Sequence, residues 1–147
     1  MRVNRLDRVI ILVRDLDRAM SFFSTKLGVE FVELEVGEAE GQRASMSLDH
    51  QMELISPILP LPESAPPATK RWVELLQDRE SVFLALAFRV DDAAAAGSDA
   101  QRLGMRIVDT LNLPELPPLP IHDLKEVEIS EEDTLGIPVI LVEYHRS

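Results

Sequence analysis

No cysteine occurs among the 147 residues. That absence removes disulfide scaffolds, thiolate zinc sites and thiol nucleophiles together, and it fits a reducing cytoplasm. Basic residues are outnumbered, 15 against 26 acidic, for a formal net charge of −11. The resulting field repels nucleic-acid phosphates and anionic membrane surfaces, so neither is an expected partner. Long apolar runs are missing too. The opening MRVNRLDRVIILVRDLD breaks its apolar stretch with charges, which argues against a secretory signal, and no other stretch is long enough to span a bilayer. Nor is there a glycine-rich phosphate loop, a serine elbow or a paired-histidine zinc motif. These absences leave a soluble cytoplasmic protein as the expectation.

With 46% hydrophobic and 28% charged residues, the chain has the make-up of an ordinary globule, and its length suits one domain with a real core. The informative feature is an internal echo. Val9 to Val13 is an aliphatic, β-branched run that precedes Asp15 and Asp17; Leu86 to Val90 precedes Asp91 and Asp92 in the same way. Acidic residues at such a point suit a helix start, because they accept first-turn amides and complement the helix dipole. Leu16, Ala19, Met20, Phe23 and Leu27 then recur at spacings of three and four, and Gly28 supplies a left-handed terminus. The second copy is fainter, with Ala93 to Ala96, Gly97, Ala100 and Leu103, but it too ends in a Leu-Gly pair, Leu103-Gly104, before a strand predicted over Met105 to Val108. Further strands are predicted in Ala44 to Ser56, with a turn at Asp49-His50, in Val127 to Ser130 and in Val139 to Tyr144. Each half therefore reads βαβββ. The proline clusters Pro57 to Pro67 and Pro114 to Pro120 read as loops, since proline cannot donate to a strand ladder. Thr69 to Arg79, with Trp72, Val73, Leu75 and Leu76, reads as a short amphipathic connecting helix.

The segments LDRVIILVRDLDRAMSFFSTKLGVEF, QMELISP, FLALAFRVDDAAAAGSDAQRLGMRIV and DTLGIPVILVEY resemble the vicinal oxygen chelate superfamily of glyoxalases, bleomycin-resistance proteins and dioxygenases. The connector looks most like the methylmalonyl-CoA epimerase branch. The resemblance implies an α+β fold of two βαβββ modules whose mixed sheet forms a cup: module one about residues 5–57, a connector about 58–80, module two about 81–147. It also implies a homodimer, and a divalent metal held by four side chains, two from each module. Those four positions fall on Arg8, Glu53, Ala85 and Ile140. Only Glu53 is a usable ligand, because arginine stays protonated and the other two offer no donor atom.

Residues two apart on a strand share a face. On that rule Arg8, Ile10 and Leu12 line the cup with Glu53 and Ile55, Ala85 and Ala87, and Ile140, Val142 and Tyr144. A mostly apolar lining with few charges suits an amphipathic small molecule. The leading expectation is thus a small-molecule binder of this superfamily with no cofactor and with metal disfavoured, similar to its antibiotic-sequestering members. The alternative is an enzyme of isomerase, lyase or dioxygenase type, with Glu53 and Tyr144 as catalytic candidates, with or without a divalent metal. A protein-partner domain using the same walls is the third reading. Arg8 and Glu53 read either as a ligand-gripping pair or as a buried ion pair that replaced a metal. His50 and His145 fall off the lining face, and His122 beside Asp123 reads as a solvated loop edge. The acidic run Glu126, Glu128, Glu131, Glu132 and Asp133 lacks calcium-loop spacing and reads as a solvated edge and turn.

Overall fold

A computed structural model describes residues 1–147. The elements are β1 (Arg5–Val13), α1 (Leu16–Leu27), β2 (Val32–Glu33), β3 (Gln42–Ser47), β4 (Met52–Pro57), α2 (Pro67–Leu76), β5 (Ser81–Arg89), α3 (Ala93–Arg102), β6 (Ile107–Glu115), β7 (Ile121–Ile129) and β8 (Val139–Arg146). The order βαβββ is met twice, from β1 to β4 and from β5 to β8. No helix is long and apolar enough to cross a membrane.

The chain divides into two compact units. The first holds Met1–Val9, Ala85–Leu116 and Pro120–Ser147; the second holds Ile10–Leu84 and Pro117–Leu119. In the first unit the strand order is β1-β5-β8-β7-β6. Strands β5 and β8 run parallel, with Ala87 opposite Ile140 and Arg89 opposite Val142, whereas β8, β7 and β6 are antiparallel. Asp92 caps α3 by accepting the Ala95 amide at 2.9 Å, and Gly104 closes it at φ +85°. The small residues Ala93, Ala96 and Ala100 let α3 lie close on Val127, Ile129 and Leu141, with Phe88 and Val139 beside them. Alternation then turns Ala87, Arg89, Glu126, Glu128, Ile140 and Val142 to the other face of that sheet.

In the second unit β2 pairs with β3 and β3 with β4, both antiparallel. Asp15 caps α1 through the Arg18 amide at 3.0 Å, and Gly28 ends it at φ +67°. The apolar stripe of α1 buries Leu16 against Val13 and Leu54, with Ile11, Ala19, Met20, Phe23 and Phe31 around them. Ser45, opposite Leu54 on β3, is fully buried and its Oγ finds no hydrogen-bond partner. Arg43 forks onto Asp17 (2.8 and 3.1 Å) and Glu33 (2.8 and 3.0 Å), tying α1 and β2 to β3. Hydrogen bonding to Arg43, then its charge, holds the Asp17 carboxyl below its ordinary value. The pair is exposed, so its worth is small.

Several boundaries differ from the sequence expectation. Strand β6 begins at Ile107 and runs to Glu115, so Pro114 lies in a strand; Pro57 ends β4 in the same way. Strand β6 is the last in the order, where a residue without an amide is tolerated. Strand β7 starts at Ile121 rather than Val127. The polar residues His122, Asp123, Lys125 and Glu126 mask it, because a strand with a single aliphatic residue among them lacks an aliphatic signature. Helix α2 starts two residues earlier than expected, with proline in its first turn, where the missing amide costs nothing.

Candidate functional site

The first unit contains a buried chain of charges. Arg8 of β1 is 5% exposed; its Nη1 donates to Asp7 Oδ2 at 2.9 Å and its Nη2 to Glu126 Oε2 at 3.0 Å. The other Asp7 oxygen accepts the Tyr144 hydroxyl at 2.7 Å. The Arg89 guanidinium lies 3.7 Å over the Tyr144 ring centroid and donates to the Tyr144 carbonyl oxygen. Its Nη1 stands 4.0 Å from Asp7. Two arginines are thus matched by two carboxylates, and burial is tolerable because each charge meets an opposite one.

The sequence candidates divide between the units. Arg8, Ala85, Ala87, Ile140, Val142 and Tyr144 belong to the first, and Ile10, Leu12, Glu53 and Ile55 to the second. In the first, Ala87 and Ile140 are register partners and Val142 faces Glu126 across β8 and β7. In the second, Leu54 points at α1, so Glu53 and Ile55 point the other way; both are buried. Ile10 and Leu12 are buried as well. A cavity of about 130 Å³ in the first unit is lined by Asp109, Thr110, Leu111, Glu126, Glu128 and Ile140.

Asp7, Arg89 and Glu126 were not among the sequence candidates. Arg89 follows Ala87 at the two-residue spacing of one strand face, a signal that was there to use. The acidic run that includes Glu126 reads from sequence as a solvated edge, but the Glu126 side chain is only 15% exposed and holds Arg8. Asp7 gave no signal, since its value lies in Tyr144, far along the chain. His122 also differs from expectation: it sits in β7, 3.2 Å from Asp123 and with its ring 5.6 Å from that of His145. His50 Nδ1 lies 2.9 Å from the Ser47 hydroxyl.

Burial pushes the Tyr144 phenol above its ordinary value, and its hydrogen bond to Asp7 acts in the same direction. Below the ordinary phenol range both folded and unfolded chains keep the proton, and the stabilisation is complete. It is lost as pH climbs from there through the raised folded value. Tyr144 is the sole tyrosine, so the ultraviolet absorbance of tyrosinate reports on it alone. The expected result is a titration midpoint at higher pH in the folded protein than in urea; coincident midpoints would contradict the Asp7 geometry.

Residues 5–115 match the family described as Glyoxalase/Bleomycin resistance protein/Dioxygenase superfamily. A search of curated protein sequences finds no match. Among solved structures, methylmalonyl-CoA epimerase from Mycobacterium tuberculosis is 26% identical with a TM-score of 0.74, over 96% of this chain and 88% of the other. A Streptomyces coelicolor methylmalonyl-CoA epimerase variant in complex with 2-nitronate-propionyl-CoA is 22% identical with a TM-score of 0.71, covering 96% and 97%. A hypothetical protein from Bacillus halodurans, 15% identical, aligns with a TM-score of 0.75 over 99% and 98%. The fold is the α+β glyoxalase/bleomycin-resistance fold of paired βαβββ modules. The chain belongs to the glyoxalase/bleomycin resistance protein/dioxygenase superfamily.

The divalent metal that this family implies does not fit the residues present. Arg8, which the family resemblance puts at the first ligand position, has its guanidinium held between Asp7 and Glu126, and a guanidinium has no lone pair to give. Ala85 and Ile140 offer no donor atom. Neither unit gathers three or more histidines or carboxylates into a metal-holding group.

Proposed function

We propose that this protein binds an amphipathic small molecule without a divalent metal, using the face of the first unit's sheet turned away from α3. The observation that carries the reading is the buried Arg8, a covalently attached cation held by Asp7 and Glu126, at the position that the family resemblance gives to a metal ligand. Around it Ala85, Ala87, Ile140 and Val142 supply an apolar floor, and the cavity beside Ile140 gives room for a small group. A few fixed polar groups over an apolar floor are what orient a small ligand. The likeness to the Mycobacterium tuberculosis epimerase supports an acyl thioester or its free acid as the ligand class.

That same likeness favours the second reading, an enzyme of the superfamily using Glu53. In the first unit, Tyr144 is the candidate for a proton-holding donor, since its phenol is pushed upward and engaged with Asp7.

The test pairs elemental analysis with thermal shift. After exposure to mixed divalent metals and dialysis, the expected metal content is near zero. Acyl-CoA thioesters or medium-chain acids should raise the melting temperature, with about 2.7 kcal/mol of linkage at a hundredfold excess over Kd. Stoichiometric metal, or epimerisation of methylmalonyl-CoA, would sink the metal-free binder in favour of the enzyme.

A further inference from the structure

Several arginines of this acidic chain are committed to carboxylates. Arg8 lies between Asp7 and Glu126, Arg43 between Asp17 and Glu33, Arg106 against Glu132 and Asp133, and Arg102 against Asp99. The end of the first unit's sheet where β5 and β8 stop is different. Arg89 spends one N–H on the Tyr144 carbonyl oxygen and sits at the 4.0 Å limit of its ion pair with Asp7. A guanidinium has five N–H donors, so most of this fork is unused, and its side chain is 22% exposed. The Tyr144 ring, 3.7 Å from the Arg89 guanidinium carbon, restrains it on one side. Two residues beyond Tyr144 on the same strand, and so on the same face, stands Arg146, exposed and without an ion pair. The Asn4 amide donates to the Arg89 carbonyl oxygen at 2.8 Å, which brings the neighbouring exposed Arg5 to this sheet end as a third cation.

We infer that Arg89 and Arg146, bracketing Tyr144, form an oxyanion subsite that holds the carboxylate or phosphate end of a small ligand. It rests, for its choice of ligand, on the binding reading above. It also moves the anion-receiving role from Arg8 to Arg89. Arg8 is closed between two carboxylates, whereas Arg89 is preorganised, partly solvated and short of acceptors. A planar fork fixed by an aromatic face is the arrangement that recognises carboxylate and phosphate through paired hydrogen bonds. The net charge of −11 opposes an anion at long range. Screening confines that field to about 8 Å at physiological salt, so cations on the sheet face itself outweigh it.

The test titrates the intact protein with inorganic phosphate and, separately, with decanoate, against sodium chloride at matched ionic strength. The readout is nuclear magnetic resonance of the Arg89 Nε–H and the Tyr144 and His145 amides. Saturable shifts confined to these groups are expected. Arg146→Gln, at an exposed position, should weaken binding about tenfold, the scale of one lost charge-assisted contact. Arg89→Lys, which keeps the charge and loses the fork, should weaken it as well. Linear or diffuse shifts, or an affinity unchanged in Arg146→Gln, overturn the subsite. If decanoate or acyl-CoA raises the melting temperature equally in wild type and Arg146→Gln, the subsite fails and the binding reading survives. If phosphate saturates at these groups while no amphipathic compound binds, the subsite stands and the binding reading falls. A response to phosphate alone assigns the subsite to phosphoryl groups, and one to decanoate alone to carboxylates.

Discussion

Replacing Arg8 with alanine should cost about 3–5 kcal/mol of stability, because it leaves a buried carboxylate facing a void instead of a guanidinium. Asp7 would keep only the Tyr144 hydroxyl at 2.7 Å and Arg89 at its 4.0 Å limit, while Glu126 would lose its 3.0 Å contact. For a domain of this size the melting temperature should fall by roughly 10 °C. Adding Asp7→Asn to an Arg8→Met background should recover part of the loss, since the buried charge left behind, not the missing bond, is the main penalty. Calorimetry of the two single variants and the double variant checks this. A loss below about 1 kcal/mol for Arg8→Ala, the range of a surface pair, would show that the cation is solvated and the network is not a closed one.

The second large effect lies in the other unit. Leu54 is fully buried between Val13 and Leu16, with Phe23 and Phe31 nearby. Leu54→Ala should cost about 3–5 kcal/mol, as removal of a large side chain from a rigid surround leaves a cavity. Its cross-strand neighbour gives the opposite sign. Ser45 buries an unpaired hydroxyl, so Ser45→Ala should stabilise by about 1 kcal/mol. Chemical denaturation of both variants measures the contrast. A destabilised Ser45→Ala would mean that the hydroxyl has a partner in solution.

How far the fold could be read depended on how loudly each element spoke. Helix α1 announced itself through its apolar stripe and both caps, Asp15 and Gly28, and its bounds were met closely. Helix α3 was legible mainly because its Asp92 start and Leu103-Gly104 end repeat those of α1. Strands β6 and β7 are longer than their sequence signals, since Pro114 speaks for a loop and the acids Glu126 and Glu128 speak for solvent. Both signals were local, and the sheet overrode them. The charge network was the least legible part. Arg8 stood out only against the family pattern, and its partners Asp7 and Glu126 are set by strand register, which a one-dimensional string does not display.

The outermost strand of the first unit carries a further implication. Strand β6 presents nine residues at the end of the strand order, largely exposed, and such a rim invites a stranger's backbone to add itself. Pro114 withholds an amide from any recruit, while Asp109 and Glu115 place carboxylates along the same rim. The protein should therefore resist fibril growth from this border even when crowded. Exchanging Pro114 for a β-branched residue and the two acids for amides would remove that guard, leaving the native contacts of the interior untouched.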